Sequence, residues 1–127
     1  MNKKRPVNLD ISTISLPITG IVSFFHRVTG IFLFAGMAAL LWMLDSSLDS
    51  QESFAAVRDI TSSLTCKLIL WVVLAGLIYH LVAGIRHLIM DCGVGESLKG
   101  GRAGAKIVLV VSIVLIALAG VWIWKLQ

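Results

Sequence analysis

Four residues in the middle of the chain have a spacing that could do chemistry. Gly76, His80, Gly84 and His87 are separated by 4, 4 and 3 positions, intervals that fall on one face of a helix. Glycine one turn before and one turn after a histidine leaves a shallow groove beside the ring. A flat macrocycle needs such a groove to bring its iron to imidazole distance, and haem iron takes a neutral imidazole as axial ligand. A purely structural reading stands beside this one. Gly76 and Gly84 would let a neighbouring helix approach closely, as small residues do in membranes, and His80 would hydrogen-bond to that helix. Periodicity alone leaves both readings open.

A second group lies nearer the N-terminus. Ser23, His26, Arg27 and Gly30 follow at spacings of 3, 1 and 3, again one side of a helix. His26 and His87 each fall about one turn from the inner end of their helices. His80 lies about two turns deeper than His87 at 1.5 Å per residue. The expected arrangement is a polar rim of His26, Arg27 and His87 with His80 beneath it, suited to haem propionates or a quinone head-group. Arg27 could instead snorkel to the interface, and Ser23 could cap the helix or bond back to it. The difference in depth argues against His26 and His80 binding one iron. If the haem has two histidine ligands, the second is expected from another subunit; three helices are in any case few for enclosing a haem, and both points predict a membrane partner. Cys66 and Cys92 form no Cys-x-x-Cys-His motif, which excludes covalent c-type attachment; both read as small apolar fillers.

The elements that must carry these residues follow from composition. Charged residues make up 14% of the chain, against about 25% in a soluble domain, too few to cover a globule. Leu68–Ile85 and Ile107–Trp124 are uncharged for 18 residues each, the length at which a helix becomes a membrane-span candidate. Ile31–Leu44 is uncharged for only 14 residues, about 21 Å against a hydrocarbon core of about 30 Å. The acids from Asp45 to Asp59 block extension forwards, so this span is expected to extend backwards through Gly30, Arg27, His26 and Ser23. Ionisable groups so placed mark function by default.

Lys3, Lys4, Arg5 and Arg27 crowd the first polar segment, and Arg86, Lys99, Arg102 and Lys106 the third. The positive-inside rule then puts the N-terminus and second loop in the cytoplasm and the C-terminus outside. In that topology Trp42, Trp71, Trp122 and Trp124 all fall at the outer interface, as an aromatic belt does. The glycines from Gly93 to Gly104 read as a flexible cytoplasmic turn. Met1–Arg5 resembles the start of a signal peptide, but no apolar run leads to a cleavage site. An uncleaved chain of bacterial origin is expected. The fold class is all-α integral membrane with three transmembrane helices, up-down-up. It is expected as a single membrane-anchor domain over 1–127: an arm over 1–20, then helices over about 21–45, 64–90 and 105–125.

At these residues the chain resembles a known family. Arg5-Pro6-Val7-Asn8-Leu9-Asp10 is similar to its N-terminal signature. Ser23-x-x-His26-Arg27-x-Thr29-Gly30 is similar to its first-helix motif, and His80-x-x-x-Gly84-x-Arg86-His87-x-x-x-Asp91 to its second. The family is the cytochrome b membrane-anchor subunit of succinate dehydrogenase, respiratory complex II, and the resemblance is to the enterobacterial type. Thr29 stands where the family commonly has Ser.

The resemblance implies roles. His80 matches the axial ligand of one haem b, and so its iron ligand, with the other ligand a histidine of a second small anchor subunit. Ser23 and Arg27 match residues lining the ubiquinone site; His26, Arg27 and His87 match the surroundings of the haem propionates. Electrons would come from succinate through a flavoprotein and an iron–sulfur subunit, neither of whose cofactors binds here. The chain itself carries no catalytic residue and would not be active alone as a succinate:quinone oxidoreductase. The implied location is the bacterial inner membrane, multi-pass, among lipid and with no nucleic-acid partner. The alternative is a haem-free structural anchor of a fumarate reductase-like complex. A transporter subunit fits less well, since its ionisable groups would run through the bilayer rather than cluster on one side.

Overall fold

The computed structural model describes Asp10 and residues 13–125; the N-terminal signature over 5–9 lies outside the described residues. Four helices follow in order: α1 (Ile18–Asp49), α2 (Gln51–Ser62), α3 (Leu64–Asp91) and α4 (Leu98–Lys125). Three of them, α1, α3 and α4, are long and apolar enough to cross a membrane. The expected three-span, all-α architecture is therefore present, with a short fourth helix added to it.

Local chemistry sets the boundaries. Pro17 precedes α1 with φ −66° and ψ 156°; its carbonyl accepts the first helical bond, from Ile21 N at 3.0 Å. At the far end α1 does not stop at the acids. It runs on through Asp45 to Asp49, because backbone bonding continues past the point where side chains reach water. Ser50 then turns extended, with φ −157° and ψ 166°, and caps α2 by accepting from Ser53 N at 3.0 Å. Ser63 repeats the device for α3, its hydroxyl accepting from Cys66 N at 3.3 Å. Serine at such positions satisfies amides that would otherwise lack a partner.

The glycine-rich segment corrects one expectation. Among the described residues only Gly93 and Gly95 have positive φ, +80° each, and the turn is confined to the residues before Leu98. Gly100, Gly101 and Gly104 belong to the first turns of α4, which thus begins well before residue 105. Here glycine serves close approach rather than bending. A Cβ at Gly104 would sit 3.2 Å from Arg86 Nε.

Packing among the spans is thin and made of small residues. The buried cluster is Val22, Ala83, Ala105 and Val108, with Ile18, Tyr79, Val82 and Leu109 against it. Bulky side chains point outward instead, Phe34 at 86% exposure and Ile31 at 76%. This inversion suits a chain whose outer solvent is lipid, where association depends on close backbone approach and not on hiding apolar surface. At the end where α3 starts and α4 finishes, Trp71 Nε1 donates to the Ile116 carbonyl at 3.0 Å. Its ring meets Trp124 edge-on with centroids 5.8 Å apart. Trp71 and Trp124 thus meet at this end of the spans.

Candidate functional site

The site is built where α1 and α3 cross. Tyr79 and His80, adjacent on α3, both reach the backbone of α1. Tyr79 Oη donates to the Val22 carbonyl at 2.9 Å. His80 Nδ1 lies 3.0 Å from the His26 carbonyl and 3.2 Å from Thr29 Oγ1. Val22 and His26 are one turn apart, so consecutive residues of α3 grip consecutive turns of α1. The approach depends on Gly30, where a Cβ would stand 3.1 Å from His80 Cε1.

These contacts decide the tautomer of His80. A carbonyl oxygen can only accept, so the proton resides on Nδ1. The lone pair is then on Nε2. Among the described residues the buried polar atoms without a partner are His26 Nε2, Arg86 Nε and Ser112 Oγ. His80 Nε2 is not one of them and makes no hydrogen bond, so it opens onto the surface of the chain. An imidazole that donates one ring N–H to a carbonyl and presents the other nitrogen is the usual state of a metal-bound histidine. The residues present therefore fit a haem ligated by His80. The described residues contain no cluster of three or more His, Cys, Asp or Glu suited to a bare metal ion.

His26 is placed differently from the expected rim. Its ring stacks on His80 with centroids 4.1 Å apart and planes 15° from parallel. On its other side lies His87, at 5.0 Å and 46°. The three imidazoles form a ladder with the α1 ring between the two from α3. His26 is not two turns away from His80 in depth, because the close crossing of α1 and α3 brings its ring alongside. The depth argument against a shared iron is thus replaced by one from orientation. Axial ligands point at an iron from opposite faces of the macrocycle, whereas face-to-face rings at 4.1 Å leave no macrocycle between them.

The groove expected around His80 is half filled. A Cβ at Gly84 would meet His26 Nε2 at 3.3 Å, whereas one at Gly76 would meet nothing within 4 Å. The packing alternative holds at Gly84, where the contact is the His26 ring of α1. At Gly76 no neighbour of this chain closes the face.

Ser23 and Arg27 stand on α1 near these rings but outside the ladder. Ser23 is half-buried and Arg27 exposed. Neither makes a hydrogen bond or ion pair with a described residue, so the cap or back-bond considered for Ser23 is not made. Arg27 does not join His26 and His87 in a layer; its side chain projects about a quarter-turn round the helix from His26. Arg86 stood in the sequence within the second-helix motif and among the charges of the third polar segment, but it was given no role of its own. It is 8% exposed, lies within α3, and donates from Nη2 to the Gly101 carbonyl at 3.2 Å. It also lines an apolar groove of about 500 Å³ between α3 and α4, with Val82, Met90 and Gly104 among its walls.

The family model described as succinate dehydrogenase/fumarate reductase transmembrane subunit matches residues 1–119. The chain belongs to that family. A succinate dehydrogenase cytochrome b556 subunit from Coxiella burnetii is 44% identical over 98% of this chain and 100% of its own length. One from Paracoccus denitrificans is 32% identical over 90% of this chain and 88% of its own. One from Rickettsia felis is 35% identical over 88% of this chain and 87% of its own. The chain is accordingly a membrane-anchor subunit of the succinate dehydrogenase type, and its three apolar helices are the spans that the family description requires.

Proposed function

We propose that this chain is the cytochrome b anchor of a succinate:ubiquinone oxidoreductase, holding one haem b jointly with a second anchor subunit. The observation that carries this reading is the His80 tautomer: Nδ1–H donated to the His26 carbonyl, Nε2 free and open. The cytochrome b556 names of the relatives support it. A bound haem b supplies a one-electron centre. The chain's own task is to present Nε2 in a fixed direction, keep the Gly76 face clear for the macrocycle, and keep the stacked His26 off the iron. With His26 stacked on His80, a second histidine for the haem would come from another subunit. His26 and His87, with Arg27 nearby on α1, are the groups that would meet the propionates.

The same helix supplies the polar side of a ubiquinone site. The Ser23 hydroxyl is free to donate to a quinone carbonyl. Among the described residues no acid pairs with the Arg27 guanidinium, so its charge is available to a quinone oxygen that becomes negative on reduction. A head-group polar at its carbonyls and apolar in its tail fits a boundary position. The crowding of Lys and Arg near the N-terminus supports a boundary on the cytoplasmic side of the inner membrane, where iron–sulfur and flavoprotein subunits would dock and deliver electrons.

The family also covers fumarate reductase anchors, and a haem-free anchor is the competing reading. It gives no reason for a membrane histidine to be held by one nitrogen with the other left open. The test is a reduced-minus-oxidised optical spectrum of the purified complex, unaltered and with His80→Leu. A b-type spectrum that changes or disappears in the variant is expected. A complex without that spectrum, or one that His80→Leu leaves unchanged, overturns the reading.

A further inference from the structure

Thr29 sits one turn from the crossing and does more than fill space. Its hydroxyl proton is directed at its own helix, with Oγ1 2.8 Å from the Phe25 carbonyl and 3.0 Å from the His26 carbonyl. A hydroxyl has one proton and two acceptor lone pairs. With the proton used along α1, a lone pair of Oγ1 faces His80 Nδ1 at 3.2 Å. The Nδ1 proton is therefore shared between the His26 carbonyl at 3.0 Å and the Thr29 hydroxyl. Both acceptors are fixed: one is main chain, and the other is locked by its own donation. Gly30, next in sequence, supplies the space that lets the ring come so near.

We propose that Thr29 is a positioning residue for the haem, its hydroxyl accepting from His80 Nδ1–H and so setting the direction and basicity of Nε2. The inference rests on His80 being the axial ligand. Hydrogen bonding at the far ring nitrogen makes an imidazole a stronger donor to its metal. A stronger donor favours ferric over ferrous iron, so the bond lowers the haem potential. Without the hydroxyl the His26 carbonyl still accepts, so the loss is partial. The ferric-to-ferrous preference should fall by less than tenfold, an upward shift smaller than about 59 mV for one electron. The methyl group takes no part in this, so serine should serve as well.

The experiment uses the assembled complex with Thr29→Val, Thr29→Ala and Thr29→Ser, reading the haem midpoint potential and the low-spin ferric resonance. Val and Ala should raise the potential and alter the resonance, and Ser should restore both. Loss of haem in Val and Ala with retention in Ser also supports the hydroxyl role. A potential and resonance in Val and Ala equal to the unaltered complex overturn it. So does a Ser variant that shifts as far as Val, or failure of all three to assemble, since each assigns the residue to packing. His80→Leu runs alongside: an unchanged spectrum there overturns the ligand reading itself, whereas a changed one beside a silent Thr29→Val removes only this inference.

Discussion

The Nδ1 atom of His80 lies 3.0 Å from the carbonyl oxygen of His26, while the rings of the same two residues stack at 4.1 Å. Main chain and side chain of one residue on α1 thus hold a single imidazole of α3 along its edge and across its face. Such a ring has little freedom to turn about its bond to the helix. A ligand held this way loses little entropy when it binds.

Gly30→Ala tests the closeness of that grip. The added Cβ would stand 3.1 Å from His80 Cε1, tight enough that the ring must yield by a few tenths of an ångström. The expected result is an assembled complex with an altered haem spectrum and a weakened hold on haem. Gly76→Ala, whose Cβ meets nothing of this chain, separates two effects. Haem disturbed by Gly76→Ala points to a macrocycle lying on that face. A silent Gly30→Ala would mean that the ring can move freely.

Quinone reduction should depend on Ser23 and Arg27. A hydrogen bond to a charged group is worth about 1.5–3 kcal/mol, and each 1.36 kcal/mol lost from the transition state slows a reaction tenfold. Arg27→Leu and Ser23→Ala should therefore lower succinate–quinone reductase activity on the order of 10–100-fold. Succinate oxidation by an artificial acceptor that draws on the peripheral subunits should survive in both. A parallel loss of the two activities in an assembled complex, or no loss in either, sinks the assignment.

The chain expressed alone should hold little haem. Its His80 offers one axial bond, and the Gly76 side of the groove has no wall. Haem content per chain, measured after purification with and without the second anchor subunit, checks this. Full occupancy in the single subunit would contradict a shared site.

Tyr79→Phe removes the bond from Tyr79 Oη to the Val22 carbonyl while keeping the ring. Interhelical hydrogen bonds in membranes average about 0.6 kcal/mol, so a small fall in resistance to denaturing detergent is expected with the haem spectrum unchanged. A spectral change as large as that of Gly30→Ala would show that Tyr79 also sets the position of His80.

The spans were legible because uncharged length is a property of the sequence itself, and Leu68–Ile85 and Ile107–Trp124 declare it. The site residues were legible as a motif, Ser23 to Gly30 and His80 to His87. Their meeting was not. Whether His26 stacks on His80 depends on the register of α1 against α3, and no spacing within either helix encodes it. The helix α2 was missed because a segment with four acids between spans reads as loop, although Ser50 and Ser63 stood ready as caps. Arg86 was legible as part of the second-helix motif and within the expected helix over 64–90, but its burial against α4 was not, because no spacing within α3 tells which neighbour packs there. Gly100 and Gly101 resembled a break, since glycine in a membrane helix and glycine in a turn differ only in what packs against them.

The clasp between the two helices is asymmetric. Tyr79 and His80 contribute side chains, and apart from the Thr29 hydroxyl what they hold on α1 is the main chain of Val22 and His26. A carbonyl survives every substitution, so replacing the imidazole of His26 removes a stacked ring and leaves the acceptor in place. A genetic screen for slipped register should therefore collect its strongest alleles at positions 79 and 80 and at the glycine that admits them, Gly30. Position 26 should yield alleles that alter the cofactor's surroundings while the helices stay aligned.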